Sequence, residues 1–213
     1  MPKIIRSKKM GFCSGVKHAV ETAFKIAEGG CPHHSHIYTL GPLIHNSTVM
    51  SELELKGVGV IAESEVPAPH AVVIIRAHGV TPQTEAALKD KGAVIVDATC
   101  AKVKANQLKA LSLHKSGAVV FIAGEKGHAE VTGLLGYAPN AIVLSSESDA
   151  EVFFKTCNKN HRIAKGAIIA QTTISTGLPS KSAISKRRRV FALWESPTTS
   201  TASTMPQSKR KAS

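Results

Sequence analysis

Residues 71–100 read AVVIIRAHGVTPQTEAALKDKGAVIVDATC, and their order decides the fold. AVVIIRAHG is an apolar run rich in branched residues, the pattern of a strand buried on both faces. TPQTEAALKDKG carries helix signals: Thr81 as N-cap, Pro82 at the first helical position and Gly92 as the stop. AVIVDATC returns to a short apolar strand. Strand, helix, strand is the repeating unit of a parallel sheet covered by helices.

The same rhythm runs outward in both directions. On the N-terminal side, KIIRS reads as a strand, SGVKHAVETAFKIAEG as a helix and IYTLG as a strand. NSTVMSELELKG follows as a helix with Asn46 as its N-cap, and Gly59 and the Pro-rich EVPAPH read as loops. On the C-terminal side, AKVKANQLKALSLHKSG reads as a helix, and AVVFIAG, AIVLSS and AIIAQTT as buried strands. The expectation is an α/β protein of two similar lobes with parallel sheets, residues 1–98 and 99–173. After residue 173 the rhythm stops. Residues 174–213 are rich in Ser, Thr, Lys and Arg around one apolar patch, Val190 to Trp194, and read as a disordered tail.

Composition narrows the functional classes. The chain has 213 residues, 43% hydrophobic and 4% aromatic, enough for one large or two small cores. No apolar run approaches the length of a membrane span, and the N-terminus lacks the apolar stretch of a secretory signal. Four irregularly spaced cysteines then suggest thiols or metal ligands in a reducing compartment, and a cytoplasmic location is expected. The net charge is +12, but residues 174–213 hold eight Lys/Arg and one Glu, or +7, which leaves +5 for residues 1–173. A nucleic-acid-binding reading therefore rests on SKRRRV and SKRKAS in the tail, where no aromatic residues are interleaved for base stacking.

In parallel α/β folds ligands bind beyond the carboxyl ends of the strands. Six segments at such ends carry reactive or hydrogen-bonding side chains: Cys13 in GFCSGV, His45 in GPLIHN, His78 in RAHGV, Cys100 in DATC, His128 and Glu130 in GEKGHAE, and Thr172 and Thr173 in QTT. Singly, each has a plain explanation: a small buried thiol, a surface histidine, a helix cap. Six together point to a shared site. Two cysteines on separate loops suit a soft metal or an iron–sulfur cluster. Paired Cys-x-x-Cys knuckles, the commoner zinc pattern, are absent, yet a zinc enzyme using Cys13, Cys100 and His128 stays open, as does a Cys–His nucleophile. Three histidines beside Gly and Thr donors suit a phosphate or diphosphate. Glu130 can donate a proton if burial raises its pKa. CPHHSH, residues 31–36, reads as a polar surface loop, with an adventitious metal site as the alternative.

In this order the six motifs resemble the 4-hydroxy-3-methylbut-2-enyl diphosphate reductase family, also called IspH or LytB, over residues 3–173. The resemblance implies a trilobed α/β fold around a [4Fe–4S] cluster held by three cysteines, one per lobe. It also implies two-electron reductive dehydroxylation of that diphosphate to isopentenyl and dimethylallyl diphosphate, the last step of the methylerythritol phosphate pathway. Ferredoxin or flavodoxin would supply the electrons. Cys13 and Cys100 would ligate the cluster. His45 and His78 would bind the diphosphate with His128 close by, and Glu130 would deliver protons with Thr172 or Thr173. Two departures stand out. Ala101 replaces the proline usual after the second cysteine, and no cysteine follows Cys157 to serve as the third ligand. The third lobe is thus expected to be missing, through truncation or a slipped reading frame near residue 174. Codons for Ser200 to Gln207, read one base early, can give Asp-Ser-Ile-x-Asp-Ala-Thr, close to the family's third motif. On that reading this chain is impaired as an enzyme.

Overall fold

In a computed structural model of the chain, residues 11–29, 36–160 and 165–173 are described. Strand β3 (Val72–Ile75) has every residue buried. It lies inside a four-stranded sheet with β1 (Ile37–Leu40), β2 (Val58–Ile61) and β4 (Val94–Asp97), in the order β2-β1-β3-β4. A second sheet holds β5 (Val119–Ala123) between β6 (Ile142–Leu144) and β7 (Gly166–Ala170). All pairings in both sheets are parallel. This is the α/β architecture that alternating strands and helices predicted.

Strand alternation decides which residue faces which helix layer. In the first sheet, Ile74 packs with Ala19 and Ala23 of α1 (Ser14–Gly29) and Leu53 of α2 (Ser47–Leu55). Its neighbours Val73 and Ile75 point the other way, toward Leu88 of α3 (Pro82–Asp90). In the second sheet, Val120 and Ile122 pack with Ala110 and Leu113 of α4 (Ala101–Lys115) and Leu134 of α5 (Ala129–Tyr137). Phe121 faces the opposite side, where its ring meets Phe153 of α6 (Glu147–Asn160) edge-on, 5.3 Å between centroids.

The predicted caps form. The Asn46 side chain accepts from the Val49 N–H, and the Thr81 hydroxyl accepts from the Thr84 N–H at 3.0 Å. Gly92 takes φ +78 after α3, as a stop glycine should. Gly59 is a correction: it lies within β2, not in a loop. It pairs with Tyr38, and a Cβ there would come within 2.9 Å of the Tyr38 ring, so glycine makes room for the aromatic side chain in the strand. The expected strand KIIRS, the Cys31–Ser35 part of CPHHSH, the Cys157 side chain and the whole 174–213 tail lie outside the described residues.

The two sheets meet through close backbone approaches. On α5, Gly133 and Gly136 face the loop that joins β3 to α3. A Cβ on Gly136 would stand 2.4 Å from Thr81 Cβ and 3.0 Å from its Cα. Alanine would gain about 1 kcal/mol of helix propensity over glycine. The clash is with the backbone and Cβ of a residue fixed as a helix cap, so it cannot be relieved by a rotamer change. Gly136→Ala is therefore expected to lower stability by about 1–3 kcal/mol. Thermal unfolding checks this, and a rise in Tm would show that propensity outweighs the contact.

Candidate functional site

Five of the predicted loops are seen at carboxyl ends of strands: His45 after β1, His78 after β3, Cys100 after β4, His128 and Glu130 after β5, and Thr172 and Thr173 after β7. Cys13 immediately precedes α1, and its carbonyl accepts from the Lys17 N–H at 2.9 Å.

The three histidines come together. The ring centroids of His45 and His78 are 6.3 Å apart, and those of His78 and His128 are 5.3 Å apart. His128 is also the N-cap of α5: its Nδ1 accepts from the Glu130 N–H at 3.1 Å. That bond requires an unprotonated Nδ1 and leaves Nε2–H as the outward donor of the neutral ring. His78 sits in the middle. Its Nδ1 is buried and has no partner within the protein. Burial lowers its pKa to about 4, the Arg76 charge pushes the same way, and a proton on His128 or His45 would add to it. The central imidazole is thus neutral near pH 7, with an unused ring nitrogen.

Glu130 is fully buried. The Thr172 N–H donates to one carboxyl oxygen at 2.9 Å and the Thr172 hydroxyl to the other at 2.8 Å. Burial raises the Glu130 pKa. The two Thr172 bonds and His128 oppose that shift without cancelling it. Thr173 does not share this contact. Its hydroxyl and carbonyl each lie 3.2 Å from the Gln171 amide nitrogen. Gln171, itself buried, accepts from the Glu125 N–H at 3.0 Å and so ties the end of β7 to the GEKGHAE loop.

Cys13 is an exposed free thiol and Cys100 a half-buried one. Each precedes a helix, where unpaired N–H groups favour negative charge. Gly15, in the first turn of α1, brings them into one neighbourhood: a Cβ on it would lie 2.4 Å from Cys100 Sγ. The turn before Cys100 is built by Asp97, whose carboxylate accepts from the Thr99 N–H at 3.0 Å, from the Thr99 hydroxyl and from Lys104 Nζ at 2.8 Å. Burial works against that carboxylate, but the bonds from Lys104 and Thr99 outweigh it and its pKa falls. Both thiols are free, and a thiolate is the donor that a soft metal takes. Among the described residues no group of three or more His, Cys, Asp and Glu closes a ligand set.

Arg76, Asp97 and Gln171 were not singled out from the sequence. Each opens one of the strand-end motifs, RAHGV, DATC and QTT, so adjacency to the site residues was the available signal. Arg76 pairs with Glu63 at 3.4 Å, and a Cβ on Gly41 at the start of the GPLIHN loop would lie 2.8 Å from its guanidinium. No helix among the described residues is long and apolar enough to cross a membrane.

Known proteins resemble this chain in sequence and fold. The model of the LytB protein family matches residues 4–198. That match runs past Thr173, where the motif resemblance ended. The 4-hydroxy-3-methylbut-2-enyl diphosphate reductase of Treponema denticola is 35% identical over 173 residues, covering 79% of this chain and 60% of the relative. The reductase of the same name from Syntrophotalea carbinolica is 40% identical over 177 residues, covering 81% and 58%. A solved structure of (E)-4-hydroxy-3-methyl-but-2-enyl diphosphate reductase, described as the terminal enzyme of the non-mevalonate pathway, superposes with TM-score 0.65 at 37% identity, covering 78% of this chain and 57% of that one. The corresponding Plasmodium falciparum reductase gives TM-score 0.65 at 26% identity, covering 79% and 51%. The chain thus spans a little over half the length of these relatives. With a family match along most of its sequence and the same fold over the part it shares, this chain belongs to the LytB family.

Proposed function

We propose that this chain is the two-lobed portion of a reductase acting on 4-hydroxy-3-methylbut-2-enyl diphosphate. The reaction adds two electrons and two protons, breaks the C–O bond to the hydroxyl and releases water. The products are isopentenyl and dimethylallyl diphosphate. One observation carries the reading: three imidazoles at strand ends stand beside a buried carboxyl that two bonds from Thr172 hold in place. The relatives' names point to the same substrate. Neither the nucleic-acid-binding nor the zinc-enzyme alternative is supported by these relatives.

His45, His78 and His128 bind the diphosphate through ring N–H groups, as charge-assisted bonds to phosphate oxygens. His78 arrives neutral because it is buried beside cations. An anion seated against it reverses that environment, so binding draws a proton onto the ring. Burial raises the Glu130 pKa and so favours its proton-bearing form, the form that passes a proton toward the departing hydroxyl. Thr172, which touches both carboxyl oxygens, relays the proton or holds the carboxyl in line, whereas Thr173 steadies Gln171. Cys13 and Cys100 would hold a [4Fe–4S] cluster, which when bound supplies the two electrons. Ferredoxin or flavodoxin, as small one-electron carriers, would refill it. Taken by itself, the 213-residue chain has two of the three thiolates this reading calls for.

Three outcomes are expected. First, anaerobic reconstitution should give substoichiometric iron that is lost on gel filtration, and Cys13→Ser or Cys100→Ser should abolish even that. A stable holoprotein with turnover would contradict the claim of impairment. Second, inorganic pyrophosphate should bind with proton uptake, measured by calorimetry in buffers of different ionisation enthalpy. His78→Gln should reduce that uptake, and an unchanged value would remove His78 from the anion site. Third, an unfolded histidine titrates near 6.5 and folded His78 near 4, so the folded state binds fewer protons between these values. The stability this brings is complete above pH 6.5 and is lost as pH falls toward 4. Urea midpoints at pH 7 and 4.5 should therefore fall less in His78→Gln than in the unsubstituted chain. Equal losses would count against a buried, neutral His78.

A further inference from the structure

Four positions of α4 are buried: Val103, Gln107, Ala110 and Leu113. Three are apolar, and Ala110 and Leu113 belong to the second sheet's core. Gln107 is the exception, with 1% exposure. An apolar residue would pack there without the cost of desolvating an amide. What glutamine adds is direction. Its Nε2 lies 3.4 Å from the Val80 carbonyl, two residues beyond His78. Glycines make the space: a Cβ on Gly79 would stand 2.4 Å from that nitrogen, and one on Gly133 would stand 3.2 Å from it.

Asn106, the residue before, reaches a different element. Its Nδ2 donates to the Ala170 carbonyl at 3.1 Å, at the end of β7 and two residues before Thr172. Consecutive helical residues point about 100° apart, so one helix can address two loops at once. The helix itself starts beside Cys100, whose N–H donates to the Ala77 carbonyl at 3.0 Å, next to His78.

We infer that Asn106 and Gln107 are positioning residues of the site: Gln107 sets the His78 loop, and Asn106 sets the Thr172 turn that holds Glu130, both relative to Cys100. The inference rests on the proposed function only for the identity of the ligand. Neither residue touches substrate on this view. Each acts through the loop it holds, so each substitution has a separate address.

The test uses the full chain labelled at histidine and glutamate side chains, with Gln107→Met and Asn106→Ala. Both variants should stay folded by circular dichroism. Gln107→Met should move the His78 imidazole resonances and leave the Glu130 carboxyl resonance in place. Asn106→Ala should do the reverse. Pyrophosphate affinity should weaken about fivefold in Gln107→Met, the equivalent of one lost hydrogen bond of about 1 kcal/mol, and hold steady in Asn106→Ala. If Gln107→Met does not fold, Gln107→Asn keeps the amide but shortens its reach, and it should move His78 in the same way. Unmoved resonances in folded variants, or both groups moving alike in each, would overturn the inference, since general loosening has no address. If the unsubstituted chain fails to bind pyrophosphate, the proposed function falls, while the resonances still decide the positioning roles.

Discussion

The near-contact of two backbones, α5 against the loop that joins β3 to α3, fixes everything that follows from it. Thr81 caps α3 from one side and fills the space above Gly136 from the other. The His78 and Val80 carbonyls lie 3.8 Å from where a Gly133 Cβ would be. Because neither glycine carries a side chain of its own, the strand-end loops of two separate sheets come close enough for His78 and His128 rings to meet. A methyl group at Gly136 would push apart the halves of the site as well as the halves of the core, and one at Gly133 would press on the Gln107 amide. The sheets supply rigidity, but the spacing comes from these two glycines.

Within that spacing, opposite ionisation tendencies sit side by side. Burial favours the neutral form of His78 and the neutral form of Glu130 alike, which moves one pKa down and the other up. The result is an imidazole without its proton near a carboxyl inclined to keep one. An enzyme that must bind an anion and then hand over a proton needs that pairing. It arises here first from exclusion of water, with the Arg76 charge adding to the effect on His78.

The sheet order was not legible in the sequence, but the parallel architecture was, because strand runs such as AVVIIR are too apolar for a half-exposed sheet and alternate with capped helices. Asn46 and Thr81 announced their helices by type and position. Gly59 misled because glycine in isolation signals a turn, and only the register against Tyr38 shows why a strand holds it. Helix α5 was hidden by its own glycines, which look like breakers until Thr81 is seen lying on Gly136. Helix α6 had a signal that went unused: the Ser146 hydroxyl accepts from the Asp149 N–H, a side-chain cap, and the Asp149 carboxylate accepts from the Ser145 N–H. The site residues were visible as motif members at strand ends. Which threonine meets Glu130, and that a glutamine in the middle of α4 turns inward, depend on tertiary packing and leave no mark on local pattern.

The bond between Glu130 and Thr172 joins residues 42 positions apart, and β5 cannot complete its pairing until β7 has been made. Contacts of such long sequence separation form late, because loop closure is paid for before they contribute. During synthesis the first sheet, complete by Asp97, can fold while the acid end of the site does not yet exist. The exposed flank of β5 that awaits β7 is then a stretch of bare apolar strand, of the kind chaperones recognise. The carboxyl that ends up most deeply buried is among the last groups to be enclosed, so its environment registers whether the second sheet has closed.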